Sequence, residues 1–400
     1  MTNKQTIWEY KQLSSLGSFS KGVGISKADI VPQGAPCIRY AEIYTKYNFQ
    51  LSQCLSHIPT EIAQKSTPIA YGNILFAGSG ETAEDIGKSV AYLGKDTAYA
   101  SGDIIIFTLK DKKENALFFS YYLNTAGRQQ LNKLGEGQSV VHIYPEELSK
   151  VFVPHPLVEE QHRIVEVLET WDKAIQLTRK LIEQKELQKK YLMQQLLTGR
   201  TRLKGFTGKW KKVHLENMLY EVDKRTTCNN QYQIMSVTKN GIYSQQEYFD
   251  KQIASENNIG YKILRRSNIV FSPMNLWMGS IGFFQKDIGI VSPAYKIFSI
   301  NPKIALFDFL RYFMTTPKML YLYKINSEMG ASIVRRNLDI NGLLSSDVFI
   351  PSIKEQYAIA KVISTSDKQV DLLKQKLVKL EEQKKGLMQI LLTGKVRLNW

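Results

Sequence analysis

The sequence predicts an α+β protein laid out twice: two similar mixed α/β domains separated by two long helices whose apolar seams pack on each other as a coiled coil, an internal pseudo-twofold repeat. Three observations predict it. Residues 156–203 recur as 351–398 with no gap, an offset of 195, and close to half of the aligned positions are identical. Both copies carry a sustained 3.5-residue apolar period, the mark of a coiled-coil seam. Each copy follows a diverged segment of strand-sized apolar runs punctuated by Gly and Asn. The boundaries read 1–155 for the first domain, 156–205 for the first repeated helix, 206–350 for the second domain and 351–400 for the second helix.

In the first domain Ile104 to Leu109 reads as a strand and Leu117 to Leu134 as a helix. In the second, Asn268 to Ser272 and Tyr295 to Ile300 read as strands and Leu306 to Lys324 as a helix. Fainter echoes join the two: Asn73-Ile74-Leu75-Phe76 with Asn268-Ile269-Val270-Phe271, Gly137 to Val141 with Gly330 to Val334, and Trp8 with Trp210. The helices begin at Pro156 and Pro351, which suit a first turn. Glu159, Glu160 and Glu355 place negative charge at the positive end of the dipole. Ser352 with Glu355 fits a capping box. Gly199 and Gly394 are the terminators. The first seam runs Ile164, Leu168, Trp171, Ile175, Thr178, Ile182, Lys185, Lys189, Leu192, Leu196. The second runs Ile359, Ile363, Ser366, Val370, Leu373, Leu377, Leu380, Lys384, Leu387, Leu391. Two such seams in one chain most simply pack on each other. Lys185, Lys189 and Lys384 interrupt them, and Gly386 weakens the second helix, so parts of each helix are expected to need another partner. Residues 205–210 read as a linker.

Composition narrows the function. The chain has 400 residues, 43% of them apolar, and folds rather than staying disordered. No run approaches the roughly 18 apolar residues of a membrane span. The polar start, Met1 to Lys11, has no signal-peptide core, and a cytoplasmic location is expected. The net charge is +16, a field that attracts polyanions. Cys37, Cys54 and Cys228 are far apart and form no zinc or disulfide pattern.

Chemical motifs fail on inspection. Phe76-Ala77-Gly78-Ser79-Gly80 copies the FxGxG loop with which amino-methyltransferases hold S-adenosylmethionine, but Ser292-Pro293-Ala294-Tyr295 lacks the second proline of their catalytic tetrad. Gly87-Lys88-Ser89 lacks the upstream glycine of a P-loop. No nucleophile–base–acid set and no metal cluster stands out. Nucleic-acid chemistry remains, carried by basic, amide and aromatic residues in loops: Lys21, Lys27, Arg39, Tyr40, Ser79, Lys88, Arg265, Arg266, Asn275, Trp277, Ser280, Arg335 and Arg336.

The doubled P-x-x-x-E-Q … L-M-Q-x-L-L-T-G helix, the two diverged segments and the Gly205-Phe-Thr-Gly-Lys-Trp210 lead-in to the second resemble the specificity subunit of type I restriction-modification systems over essentially the whole chain. The resemblance implies two target recognition domains spaced by the two helices as an antiparallel coiled coil, each reading one half of a bipartite, asymmetric site in double-stranded DNA. It implies a non-catalytic subunit flanked by two modification (methyltransferase) and two restriction (motor-nuclease) subunits, with no membrane involved. S-adenosylmethionine, ATP and Mg would sit on those partners and no cofactor in this chain. The seam leucines and isoleucines would both pair the helices and dock the other subunits. The alternatives are a stand-alone adenine methyltransferase and a coiled-coil scaffold that binds no DNA.

Overall fold

The computed structural model describes residues 8–137, 140–238, 241–245, 257–329 and 336–398. They form two compact units, Met1–Lys180 with Gln375–Trp400, and Leu181–Lys374, so each long helix contributes to both.

The first unit is organised by its most apolar run. Ile104–Leu109 is buried at every position except Thr108 and sits inside a five-stranded sheet. The order is Gly17–Lys21, Ile104–Leu109, Asn73–Ala77, Ser89–Tyr92, Gln50–Leu51, antiparallel except for the last pair. Alternation along the strands divides their side chains between two faces. Ile74, Phe76, Ile105 and Phe107 face one core with Phe118, Tyr121, Ile164, Leu168, Leu391 and Leu392. Leu75, Ala77, Ile104 and Ile106 face another with Ile38, Ile43 and Val90. A second sheet runs Ser56–Ile58, Ala35–Ile38, Ala98–Ala100, Thr67–Ile69.

The second unit repeats the main sheet in the same order with shorter strands: Leu219–Glu221, Lys296–Ile300, Ile269–Phe271, Ile281–Phe283. Ile269, Phe271 and Phe298 face the helices and Val270 and Ile297 the opposite core. The echo of Asn73 in Asn268 has a structural cause. Each asparagine closes the turn before its strand by accepting a backbone N–H, from Ala70 and Arg265, and each donates to a hydroxyl on the neighbouring strand, Thr108 at 3.0 Å and Ser299 at 2.9 Å.

The expected helices form, each broken once. Ala116–Leu123 is followed by Arg128–Asn132, and Phe307–Phe313 by Pro317–Ile325, where the proline opens the new helix. The strands expected at 104–109, 268–272 and 295–300 are present within a residue or two.

The repeated segments are helices of 39 residues each, Val158–Leu196 and Ile353–Leu391, about 58 Å long at 1.5 Å per residue. Gly199 and Gly394 end them in the left-handed conformation, at φ 70° and 69°. Within each unit the helical segments run antiparallel. Asp172 faces Lys384 and Arg179 faces Glu381 in the first; Asp367 faces Lys189 and Glu186 faces Lys374 in the second. The seam is withdrawn from solvent throughout. Ile164, Leu168, Ile175, Ile182, Leu196, Ile359, Ile363, Val370 and Leu391 are buried. Trp171, Leu192, Leu373, Leu377, Leu380 and Leu387 are half-buried. Each domain core is therefore closed by the first turns of one long helix and the last turns of the other.

Two expectations are corrected. Glu355 does not serve a capping box with Ser352, because both its carboxylate oxygens bind Arg202 at 2.5 and 2.6 Å. Lys189 and Lys384 do not leave gaps in the seams. They pair with Asp367 and Asp172 of the facing helix.

Candidate nucleic-acid interface

The antiparallel register brings distant candidates to one end of the first sheet. Lys21 lies opposite Ile105, and Ala77 opposite Ile104, so the end of one strand and the loop after the other meet beside Asp103. Gly78 donates its backbone N–H to Asp103 O at 2.8 Å, and a Cβ on Gly78 would come within 3.0 Å of that oxygen. A Cβ on Gly80 would lie 2.9 Å from the Tyr44 hydroxyl. Close packing accounts for the glycines of the FxGxG-like loop.

Two grooves flank this end. One, of about 670 Å³, is lined by Ser26, Lys27, Arg39, Tyr40, Ser101 and Asp103 among others. The other, of about 460 Å³, is lined by Tyr40, Tyr44, Ser79, Glu81, Asp85 and Val140. Tyr40 and Ala41 line both. Lys21 and Lys27 are exposed on this face. Arg39 is half-buried. Its Nε has no hydrogen-bond partner and stands 3.9 Å from Glu42, whose oxygens already accept from the Arg39 backbone N–H and the Ser56 hydroxyl.

Two first-half candidates turn inward. Lys88 donates to the backbone carbonyls of Tyr47 and Tyr44, at 2.8 and 3.3 Å, and burial pulls its pKa below the ordinary lysine value. Ser79 is buried with its hydroxyl 3.1 Å from His142 Nδ1. Sequence reading passed over His142, which stacks with the exposed ring of Tyr144 at 6.4 Å.

In the second unit Asn275, Trp277 and Ser280 occupy the loop after strand Ile269–Phe271, and Arg336 joins them from strand Arg336–Leu338. The Arg336 backbone N–H donates to Met274 O, and its guanidinium carbon lies 4.8 Å from the Trp277 ring centroid. Met274 and Met278 are exposed beside them. Arg265 and Arg266 sit at the other end of the same strand and do not join this group. Arg266 is held by Asp287 at 2.7 Å, while Arg265 is exposed. Arg335 lies outside the described residues.

A second set of polar residues fixes the helices to the domains. Glu160 is buried. It takes Arg397 through both oxygens at 2.6 Å and the Trp8 indole N–H at 3.2 Å. Beside it, Gln161 accepts the Asn115 N–H and donates to Pro156 O. In the second unit Glu355 holds Arg202, and Gln356 accepts the Leu306 N–H and donates to Pro351 O. Tyr121 donates to Asp172 and Tyr312 to Asp367, both at 2.5 Å. Burial, reinforced by these carboxylates, raises both phenols well above the ordinary tyrosine value. None of these pairings was read from the sequence. The available signal was their identity in both copies: Glu160 and Glu355, Gln161 and Gln356, Asp172 and Asp367, Lys189 and Lys384, Arg202 and Arg397.

Among the described residues no cluster of His, Cys, Asp and Glu could hold a metal ion, and no helix is long and apolar enough to cross a membrane.

Comparison with known proteins places these features. A family model described as the type I restriction modification DNA specificity domain matches residues 6–187. A putative type I restriction enzyme MjaX specificity subunit from Methanocaldococcus jannaschii is 24% identical over 349 residues, covering 82% of this chain and 79% of the relative. The MjaVIII specificity subunit of the same organism is 20% identical over 373 residues, covering 84% and 82%. Among solved structures, a type I restriction-modification S subunit from M. genitalium aligns with a TM-score of 0.57 at 14% identity, covering 98% of both chains. An HsdS subunit from Thermoanaerobacter tengcongensis aligns at 0.54 and 14% identity, covering 99% of this chain and 100% of that one.

Proposed function

Because the chain belongs to the specificity subunits of type I restriction-modification systems, we propose that it selects a DNA target by two half-sites, the first read by the 1–155 domain and the second by the 206–350 domain. The observation that carries this is duplication with divergence. The asparagine turns and the arginine–glutamate attachments of the helices recur at matching positions, and four strands of the main sheet recur in the same order. The loops at the corresponding sheet ends do not: one presents Lys21, Lys27, Arg39 and Tyr40, the other Trp277 and Arg336, with Met274 and Met278 exposed in the Trp277 loop. A symmetric dimer would require a palindromic site, whereas two unlike readers in one chain specify an asymmetric, interrupted one.

The exposed cations position the duplex through phosphates, and base edges are read from the grooves and the Trp277 loop. The long helices dock two modification subunits, with two restriction subunits outside them. S-adenosylmethionine, ATP and Mg are bound by those partners in the cytoplasm, and this chain performs no catalysis of its own.

Exchanging residues 1–155 for the first half of another specificity subunit tests the assignment. With the modification subunits present, mapping of methylated adenines is expected to show one changed half-site and one unchanged. A change in both halves overturns the one-domain, one-half-site reading. Binding of labelled S-adenosylmethionine by the isolated chain overturns the division of labour.

A further inference from the structure

Three described arginines of the second unit are locked by carboxylates. Arg202 is locked on Glu355, Arg225 on Asp223 and Arg266 on Asp287. Arg336 has no carboxylate partner among the described residues. Its one side-chain hydrogen bond is a long one, Nη1 to Ser327 O at 3.5 Å. Its Nε is out of reach of solvent and unpartnered, and so is the indole N–H of the Trp277 ring beneath it. Two buried donors left unsatisfied side by side are costly and call for an explanation.

We infer that the stacked pair Arg336–Trp277 is the base-reading element of the second domain and that it reads a guanine. The inference rests on the DNA-recognition reading above and gives it a chemistry. Arg336 is anchored at its backbone, through the N–H to Met274 O and the ladder with Ser327–Met329. Its head is anchored only by the ring and one long bond. Giving up the Nη1 bond alone therefore surrenders little and lets the guanidinium's donors find acceptors while the ring contact is kept. Guanidinium and indole offer donors only. In the major groove guanine presents two adjacent acceptors, N7 and O6. Adenine pairs its acceptor with an amine, and cytosine offers an amine. Two donors side by side match guanine and clash with an amine. Stacking on Trp277 restrains the plane of the fork, which a bidentate contact requires. A phosphate also presents two acceptors but carries no base identity, so a guanine preference distinguishes the two.

The test uses the full chain assembled with its modification subunits, a randomised second half-site, and affinities at two salt concentrations. Arg336→Lys keeps the charge and removes the fork. The expected result is tolerance at one guanine of the second half-site, with discrimination there reduced about 10- to 100-fold and the first half-site unchanged. Trp277→Phe, which keeps a ring and removes the N–H, is expected to relax the same position less. A uniform loss of affinity with an unchanged motif makes Arg336 a phosphate contact and overturns the inference, as does no change at all. If the wild-type complex shows no sequence preference, the DNA-recognition reading itself fails. Equal melting temperatures of wild type and both variants separate these outcomes from misfolding.

Discussion

Lys384→Met is expected to destabilise the first unit by about 2–3 kcal/mol, and its counterpart Lys189→Met to destabilise the second by no more than about 1 kcal/mol. The two lysines occupy the same place in the repeat but differ in surroundings. The Lys384 side chain is 5% exposed, 2.5 Å from Asp172, with its ammonium 4.4 Å from the Phe49 ring centroid and 4.9 Å from that of Tyr121. Burial draws its pKa below the ordinary lysine value even against the pull of Asp172. Methionine keeps the bulk of the stem and removes the charge, leaving Asp172 with the Tyr121 hydroxyl. Breaking a fully buried pair costs about 3–5 kcal/mol, but Asp172 is 29% exposed and water relieves part of that. Loss of two cation–π contacts adds about 0.5–1 kcal/mol each. Lys189 is 31% exposed, and its pair with Asp367 belongs with surface ion pairs. The assay is urea unfolding followed by hydrogen exchange, read on Ala116–Leu123 for the first unit and Phe307–Phe313 for the second. Adding Asp172→Asn to Lys384→Met is expected to recover most of the loss, because it removes the charge left without a cation. Equal losses for the two lysines, or no recovery in the double variant, would refute the reasoning.

Gly394→Ala is expected to cost more than Gly199→Ala. Both glycines are left-handed, but the new Cβ would stand 2.9 Å from the Trp8 ring in one and 3.3 Å from the Trp210 ring in the other. Strain alone sets about 1–2 kcal/mol for each, and thermal melting of the two variants gives the order. The chain is also expected to lose stability as pH rises above 10. The Tyr122 phenol, ordinarily ionising near 10.0, is pushed up to about 12 by burial, so the folded state keeps a proton that the unfolded chain releases. Its contribution is intact below pH 10 and falls by up to about 1.4 kcal/mol per pH unit between 10 and 12. Tyr122→Phe should lessen the alkaline slope in denaturation curves taken across that range, and an unchanged slope counts against the assignment.

The division between what the residues announce and what folding adds is visible along the long helices. Pro156 and Pro351 lie two residues before the first helical residues, Val158 and Ile353, and so outside the first turn expected of them. Glycine at the end and a 3.5-residue period are local signals, and each fixes an element without reference to the rest of the chain. The same holds for Ile104–Leu109, whose continuous apolar run demands burial on both faces. The helices at 116–132 and 307–325 were legible as stretches but not in their breaks. Asn124 ends the first by reaching across to the backbone of Ser89.

By itself, then, the sequence determined the duplication, the two seams, the main strands and the family resemblance, because period and repetition are one-dimensional properties. Only the tertiary structure decided the partner of each polar side chain. Glu160 meets Arg397 across 237 residues and Lys384 meets Asp172 across 212. No window along the chain contains both members, and the seam pattern marks such a lysine merely as a defect. Likewise Lys88, Ser79 and Arg266 look like free loop residues until backbone carbonyls, His142 and Asp287 arrive from elsewhere to claim them. Lys27 is exposed, and the Arg39 Nε, the Trp277 indole N–H and the Arg336 Nε have no hydrogen-bond partner. A periodic pattern encodes which face of an element is buried; which groups are then left unpaired depends on distances that only the packed fold sets.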